Sequence, residues 1–251
     1  MFTFEMNNPV CAFIRRQQTG FVAGNKAVKV CLVEFDHQAY LDTLFAKLAV
    51  PLPNALTSAV AKRRADYLAG RYAAHQLLSL SGCNGTVNIG PDRLPVWPSG
   101  WNGSISHTSH WAIAVISPLQ YRISLGVDIE TSCTEIIREI ATSFTNHHER
   151  ALLSRSSLPI EIALLIVFSA KESLFKALFP QAQHIFGFEA AILCELNPQH
   201  NSFTFRLTQR LSPTLPAGYV VTGVYSLQGN KVITLVMVRM PSTLRPSLLR
   251  P

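Results

Sequence analysis

From Ile162 to Phe179 the chain is apolar except for Ser169, Lys171, Glu172, Ser173 and Lys176. The pattern predicts a helix that begins near Ser157-Leu158-Pro159-Ile160-Glu161, where a serine can cap free amides and proline is tolerated in a first turn, and that ends before Pro180. A helix apolar nearly all round is a buried one, so the rest of the chain has to form layers around it. Glu172 and Lys176 stand four apart on one face, with Ser169 one turn earlier and Lys171 beside them. Buried charge needs partners. The plain reading is a helical Glu–Lys pair contributing about 0.2–0.5 kcal/mol. The sharper one has Glu172 on a metal ion and the lysines on phosphate, and it requires further carboxylates.

They occur at Gly126-Val127-Asp128-Ile129-Glu130, the end of an expected strand from Arg122 to Ile129. Alternation along a strand sets Asp128 and Glu130 on one side and Val127 and Ile129 on the other. Two adjacent carboxylates raise each other's pKa unless a cation lies between them. With Glu172 as a third oxygen donor the matching guest is Mg²⁺, a hard ion that keeps waters and bridges substrate phosphates. The alternative for the pair alone is a strand end facing solvent.

Other segments supply candidate anion contacts. Thr57 or Ser58 can cap a helix that runs to about Leu80, with Lys62-Arg63-Arg64 in its first turns and Arg71 about two turns later. Positive charge at a helix N-terminus opposes the macrodipole unless an anion sits nearby, although an exposed basic face reads equally well. Gly90 to Pro98, including Arg93, holds three prolines that exclude a helix or a central strand. Gly103-Ser104-Ile105-Ser106-His107-Thr108-Ser109-His110 reads as a loop able to present hydroxyl, amide and imidazole donors. His107 and His110 belong to no wider metal-ligand pattern, which favours a phosphate contact over a metal.

Elsewhere the expected elements are strands over 27–35 and 111–116, a short helix over 40–48, and another short helix from Phe144-Thr145-Asn146 to about Ser154. Beyond Pro180 come strands over 190–196, 202–207, 219–225 and 232–238, then a loose tail. The chain has 251 residues, 48% of them hydrophobic, enough for one large domain or two fused halves. Its formal charge of +7 favours anionic partners but does not choose among nucleic acid, a polyphosphate ligand and an acidic protein. No nucleic-acid-binding module, Walker A loop, kinase signature, G-x-G-x-x-G turn or H-E-x-x-H motif occurs, so side chains rather than a glycine cradle must hold phosphate. The five cysteines, Cys11, Cys31, Cys83, Cys133 and Cys194, are widely spaced and read as reduced, mostly packed thiols. No secretory signal or membrane span is expected, which makes a cytoplasmic protein the default.

Five motifs in order, Arg63-Arg64-Ala65-Asp66-Tyr67-Leu68-Ala69-Gly70-Arg71-Tyr72-Ala73-Ala74, Pro95-Val96-Trp97-Pro98, Gly103-Ser104-Ile105-Ser106-His107, Gly126-Val127-Asp128-Ile129-Glu130 and Phe168 to Ala177, resemble the 4′-phosphopantetheinyl transferases of the surfactin and enterobactin synthetase branch. The resemblance implies an α+β fold in a pseudo-twofold arrangement of two similar halves, each a small antiparallel sheet packed with helices, with coenzyme A bound between them. The halves would be residues 1–120, contacting the nucleotide and 3′-phosphate, and 121–240, carrying the catalytic and metal residues, with 241–251 a flexible tail. It also implies Mg²⁺-dependent transfer of the phosphopantetheine arm from coenzyme A to a serine of an apo acyl, peptidyl or aryl carrier protein, with release of 3′,5′-ADP.

By motif position, Asp128, Glu130 and Glu172 would hold Mg²⁺, and Lys176 with Lys171 would neutralise phosphate. Glu172 is also the candidate base for the carrier serine. Arg63, Arg64, Arg71, Arg93, Ser106 and His107 would contact coenzyme A. Two halves in one chain would suffice for a monomer. A non-catalytic coenzyme A or carrier binder and another Mg²⁺-dependent phosphotransferase remain as alternatives.

Overall fold

The structure, a computed structural model, describes residues 1–7, 10–90, 94–131 and 134–241. It divides into two compact units, Met1–Ile123 and Ser124–Pro241. Helices and antiparallel sheets alternate along the chain, which makes the fold α+β.

The first unit contains β1 (Phe2–Asn7), β2 (Ile14–Val22), β3 (Asn25–Phe35), α1 (Leu44–Lys47), α2 (Ala61–Ser79), a small ladder of β4 (Asn88–Ile89) and β5 (Pro95–Val96), then β6 (Trp101–His107) and β7 (Trp111–Pro118). Its five-stranded sheet runs in the order β1-β2-β3-β7-β6. β3 lies in the middle because Val28, Val30, Cys31, Leu32 and Val33 are buried on both faces. α2 packs on β7, β3 and β6 and closes a core that includes Phe13, Phe35, Leu68, Tyr72 and Leu77.

Several expectations for this unit are corrected. β1 and β2 carry little hydrophobic signal, since Arg15, Arg16, Gln17 and Gln18 crowd β2, and pairing with β3 makes them strands. The segment read as a Ser-His loop is largely strand β6, with Gly103 opposite Ile116 and His107 opposite Ala112. α2 starts at Ala61 after the extended Val60, with no side-chain cap from Thr57 or Ser58, because a 3₁₀ turn over Asn54–Leu56 uses that part of the chain. The short helix expected over 40–48 is reduced to α1.

The second unit opens with β8 (Ile123–Thr131), continues through α3 (Thr134–Glu139), α4 (Ala141–Phe144), α5 (His147–Leu153) and α6 (Ile160–Ala182), and ends in β9 (Ala191–Asn197), β10 (Ser202–Leu207), β11 (Val220–Gln228) and β12 (Lys231–Arg239). The strand order is β8-β12-β11-β10-β9. α6 packs on β12 and β11, burying Leu164, Val167, Leu174 and Leu178 against Phe203, Phe205, Tyr225 and Val236. Contrary to expectation, α6 runs through Pro180 and ends at the left-handed Gln183. So near the C-terminus, proline removes only the hydrogen bond to the Lys176 carbonyl, which the last turn tolerates.

The four described cysteines are free; Cys31 is buried, Cys11 and Cys83 are half-buried and Cys194 is exposed. Cys133, Arg93 and the tail beyond Pro241 lie outside the described residues. Among the described residues, no helix is long and apolar enough to cross a membrane.

Candidate active site

The site is built where β8 touches α6, and Gly126 makes that contact possible. A Cβ at Gly126 would collide with the Ser173 carbonyl and crowd the Ala177 amide, so only glycine lets the strand lie this close to the helix backbone. Ser124 supports the same approach, donating its hydroxyl to the Ala177 carbonyl at 2.6 Å. Two residues beyond Gly126, Asp128 meets the helix face that carries Ser169 and Lys176. Lys176 Nζ lies 2.7 Å from Asp128 Oδ1 and donates also to the Val127 carbonyl at 3.1 Å. Ser169 Oγ donates to Asp128 Oδ2 at 2.8 Å. Asp128 is 3% exposed, which excludes the solvent-facing strand end.

Glu130 and Glu172 flank this pair with no hydrogen bond or ion pair of their own among the described residues, and their electrostatics show the consequence. Burial above all, then the negative charges of Asp128 and Glu172, push the Glu130 carboxyl from its ordinary 4.5 to about 8, with Lys176 opposing. Burial also raises Glu172, with Asp128 adding and Lys176 opposing. Three carboxylates thus share one ammonium.

Among the described residues, no three of His, Cys, Asp and Glu stand close enough together to cage a metal ion. The donor set of oxygen ligands with excess negative charge is the hard-cation type.

Lys171, expected at phosphate, is engaged in a buried ion pair. Its Nζ lies 2.8 Å from Glu149 Oε1, with the two side chains 3% and 1% exposed, and donates to the Phe188 carbonyl at 3.2 Å. Glu149 closes the capping box of α5, accepting from the Asn146 amide at 2.8 Å while its own amide donates to Asn146 Oδ1, and it takes the Leu193 amide of β9 at 2.8 Å. Burial lowers the Lys171 pKa, and Glu149 opposes the shift. The lysine is the counter-ion of a structural joint joining α5, α6 and β9. Lys171 and Glu172, with Phe175, Phe186, Gly187 and Phe188, line a cavity of about 240 Å³. Phe186, just beyond α6, and Phe188, at the start of a short 3₁₀ turn over Phe188–Ala190, carry no periodicity that would mark them from sequence.

In the first unit the expected anion-binding residues are differently disposed. Arg63 is exposed on the first turn of α2. Arg64 is engaged with Asp42 Oδ1 at 2.9 Å, the Tyr40 hydroxyl at 3.3 Å and the Ala59 carbonyl, so it fastens the segment preceding α2. Arg71 is buried, lies over the Tyr67 ring at 4.8 Å and donates to the Asn88 carbonyl at 3.2 Å, while its Nε has no hydrogen-bond partner. Asp66 pairs with His37 Nε2 at 2.7 Å. Ser106 is buried and His107 half-buried on β6, the strand next to α2.

Comparison with known proteins agrees with this division. Residues 52–117 match the family model of the 4′-phosphopantetheinyl transferase N-terminal domain, and residues 124–223 match that of the 4′-phosphopantetheinyl transferase superfamily. Enterobactin synthase component D of Salmonella typhi is 39% identical over 206 residues, 82% of this chain and 84% of that protein. The protein of the same name from Escherichia coli K12 is 38% identical over 146 residues, 58% and 68% of the two chains. 4′-phosphopantetheinyl transferase PptT of Mycobacterium tuberculosis is 27% identical over 198 residues, 75% and 86%. Similarity at this level across four-fifths of both chains leaves one assignment: this chain belongs to the 4′-phosphopantetheinyl transferases.

Proposed function

We propose that the chain transfers the 4′-phosphopantetheine arm of coenzyme A to a serine hydroxyl of an apo carrier protein, with Mg²⁺, for synthesis of enterobactin or a related nonribosomal product. The observation that carries the reading is the shared charge deficit of Asp128, Glu130 and Glu172 around the single ammonium of Lys176. Bound there, Mg²⁺ would supply charge neutralisation on the pyrophosphate. Asp128 and Glu130 would hold it, with Glu172 the third candidate ligand. Lys176, a quarter exposed, would reach a phosphate oxygen without leaving the site.

In the reaction the serine oxygen bonds to the phosphorus that carries the arm, the bond from that phosphorus to the bridging oxygen breaks, and 3′,5′-ADP leaves. The serine proton passes to Glu172, whose carboxylate burial makes more basic. The apolar cavity beside Glu172 offers the arm a place to lie. In the first unit, the buried, under-satisfied guanidinium of Arg71, the exposed Arg63, and Ser106 and His107 supply contacts suited to the nucleotide's phosphates. The relatives named for enterobactin synthesis support the pathway, and the +7 charge suits an acidic carrier.

Intact-mass spectrometry of apo aryl and peptidyl carrier domains, incubated with the protein, coenzyme A and Mg²⁺, tests this. A gain of about 340 Da, the mass of the transferred arm, that EDTA abolishes is expected. No gain on any carrier despite coenzyme A binding would sink the transferase reading for a binder.

A further inference from the structure

Behind Asp128, on the side away from Lys176, three fully buried hydroxyls form a chain. Ser173 and Ser169 are one turn apart on α6, and Thr234 of β12 lies between them. Ser173 Oγ is 2.6 Å from Thr234 Oγ1, Thr234 Oγ1 is 2.9 Å from both Ser169 Oγ and the Ser169 carbonyl, and Ser169 Oγ is 2.8 Å from Asp128 Oδ2. All three side chains are 0% exposed. Each hydroxyl has one proton, and the carboxylate takes that of Ser169. Thr234 then shares its proton between Ser169 Oγ and the Ser169 carbonyl, and Ser173 shares its own between Thr234 Oγ1 and the Thr234 carbonyl at 3.2 Å, so the chain of hydroxyls leads towards the carboxylate.

We infer that Ser169 and Thr234 are positioning residues for the transfer reaction: their hydroxyl chain fixes the rotation of the Asp128 carboxylate and so how that carboxylate would be presented to the cation. This rests on the proposed role of Asp128 at Mg²⁺. The packing argument is specific. Three small polar side chains occupy the dry contact between α6 and β12, where alanine or valine would fill the same space without hydrogen bonds to satisfy. Lys176 on Oδ1 and Ser169 on Oδ2 hold the carboxylate from two sides, which leaves it one orientation. Partners of this kind are worth about 10–100-fold in metal affinity.

The test is a Mn²⁺ titration followed by electron paramagnetic resonance, with coenzyme A present and no carrier, so that no turnover is read. Ser169→Ala is expected to raise the Mn²⁺ Kd about tenfold or more. Thr234→Val should raise it by a smaller factor and Thr234→Ser should restore it, because serine keeps the hydroxyl that valine loses. In transfer assays Ser169→Ala should raise the Mg²⁺ concentration needed for half-maximal rate more than it raises the KM for coenzyme A. Asp128→Asn is the control. If it does not weaken Mn²⁺ binding, the metal reading falls and this inference with it. If Asp128→Asn weakens binding but Ser169→Ala leaves the Mn²⁺ Kd unchanged, the hydroxyl chain is merely packing and the inference is overturned. Should Thr234→Val not fold, Ser169→Ala alone decides between these outcomes.

Discussion

Lys171 and Glu172 are neighbours in sequence and border one cavity, yet the ammonium is paired 2.8 Å from Glu149 Oε1 while the carboxylate makes no ion pair among the described residues. A helix turns by about 100° per residue, so adjacent charged residues on α6 serve different neighbours. The first helps to hold the fold together, and the second is the one proposed to take part in the chemistry.

Removing one partner of the sealed pair should therefore damage stability first. Glu149→Ala leaves a buried ammonium, an open capping box and an unpaired Leu193 amide, and is expected to cost about 3–5 kcal/mol. Combining it with Lys171→Met should cost less than the two single changes added together. Guanidinium unfolding of the four proteins measures this. Lys171→Met should leave coenzyme A affinity near that of the parent; a large loss would return Lys171 to the phosphates.

Lys176 should behave in the opposite way. Its ammonium is a quarter exposed, and replacing it frees a carboxylate that a cation can reach. Lys176→Ala is expected to weaken coenzyme A binding and lower the transfer rate, each by the roughly 1.5–3 kcal/mol of a hydrogen bond to a charged group. Calorimetry with coenzyme A and single-turnover transfer read the two effects, with the melting temperature as a check on folding.

The raised carboxyl of Glu130 gives a pH dependence of fixed sign. Between 4.5 and about 8 the folded metal-free protein holds a proton that the unfolded chain has released, so this group's stabilising contribution is full below 4.5 and is lost as pH rises to about 8. A cation that displaces the proton should bind more tightly as pH rises towards 8, by up to about tenfold per unit, and level off above it. Mg²⁺ or Mn²⁺ titrations in buffers of different ionisation heat would detect the released proton, and Glu130→Gln should flatten the profile.

Gly126→Ala places a methyl group against the Ser173 carbonyl. The strand and helix must then separate, with an overpacking cost of about 1–3 kcal/mol. Separation also lengthens the Asp128–Lys176 and Asp128–Ser169 contacts, so transfer should fall by more than the loss of folded protein accounts for. Comparing activity per folded molecule, by circular dichroism and single turnover, separates the two.

Local pattern was enough for much of this protein. The apolar run around Ser169–Lys176 announced a buried helix with a charged face, and the spacing of Asp128 and Glu130 on a strand announced two carboxylates on one side, because periods of 3.6 and 2 are properties of the backbone. The strands after Pro180 were legible for the same reason. Tertiary structure decided what periodicity cannot carry. β1 and β2 are strands through their partners, since polar side chains give a strand no pattern of its own. Whether a lysine serves a substrate or the core depended on Glu149, 22 positions away, and the support behind Asp128 depended on Thr234, 65 positions from Ser169. A hydrogen bond across such distances is set by how helix and sheet pack, and no spacing along the chain records it.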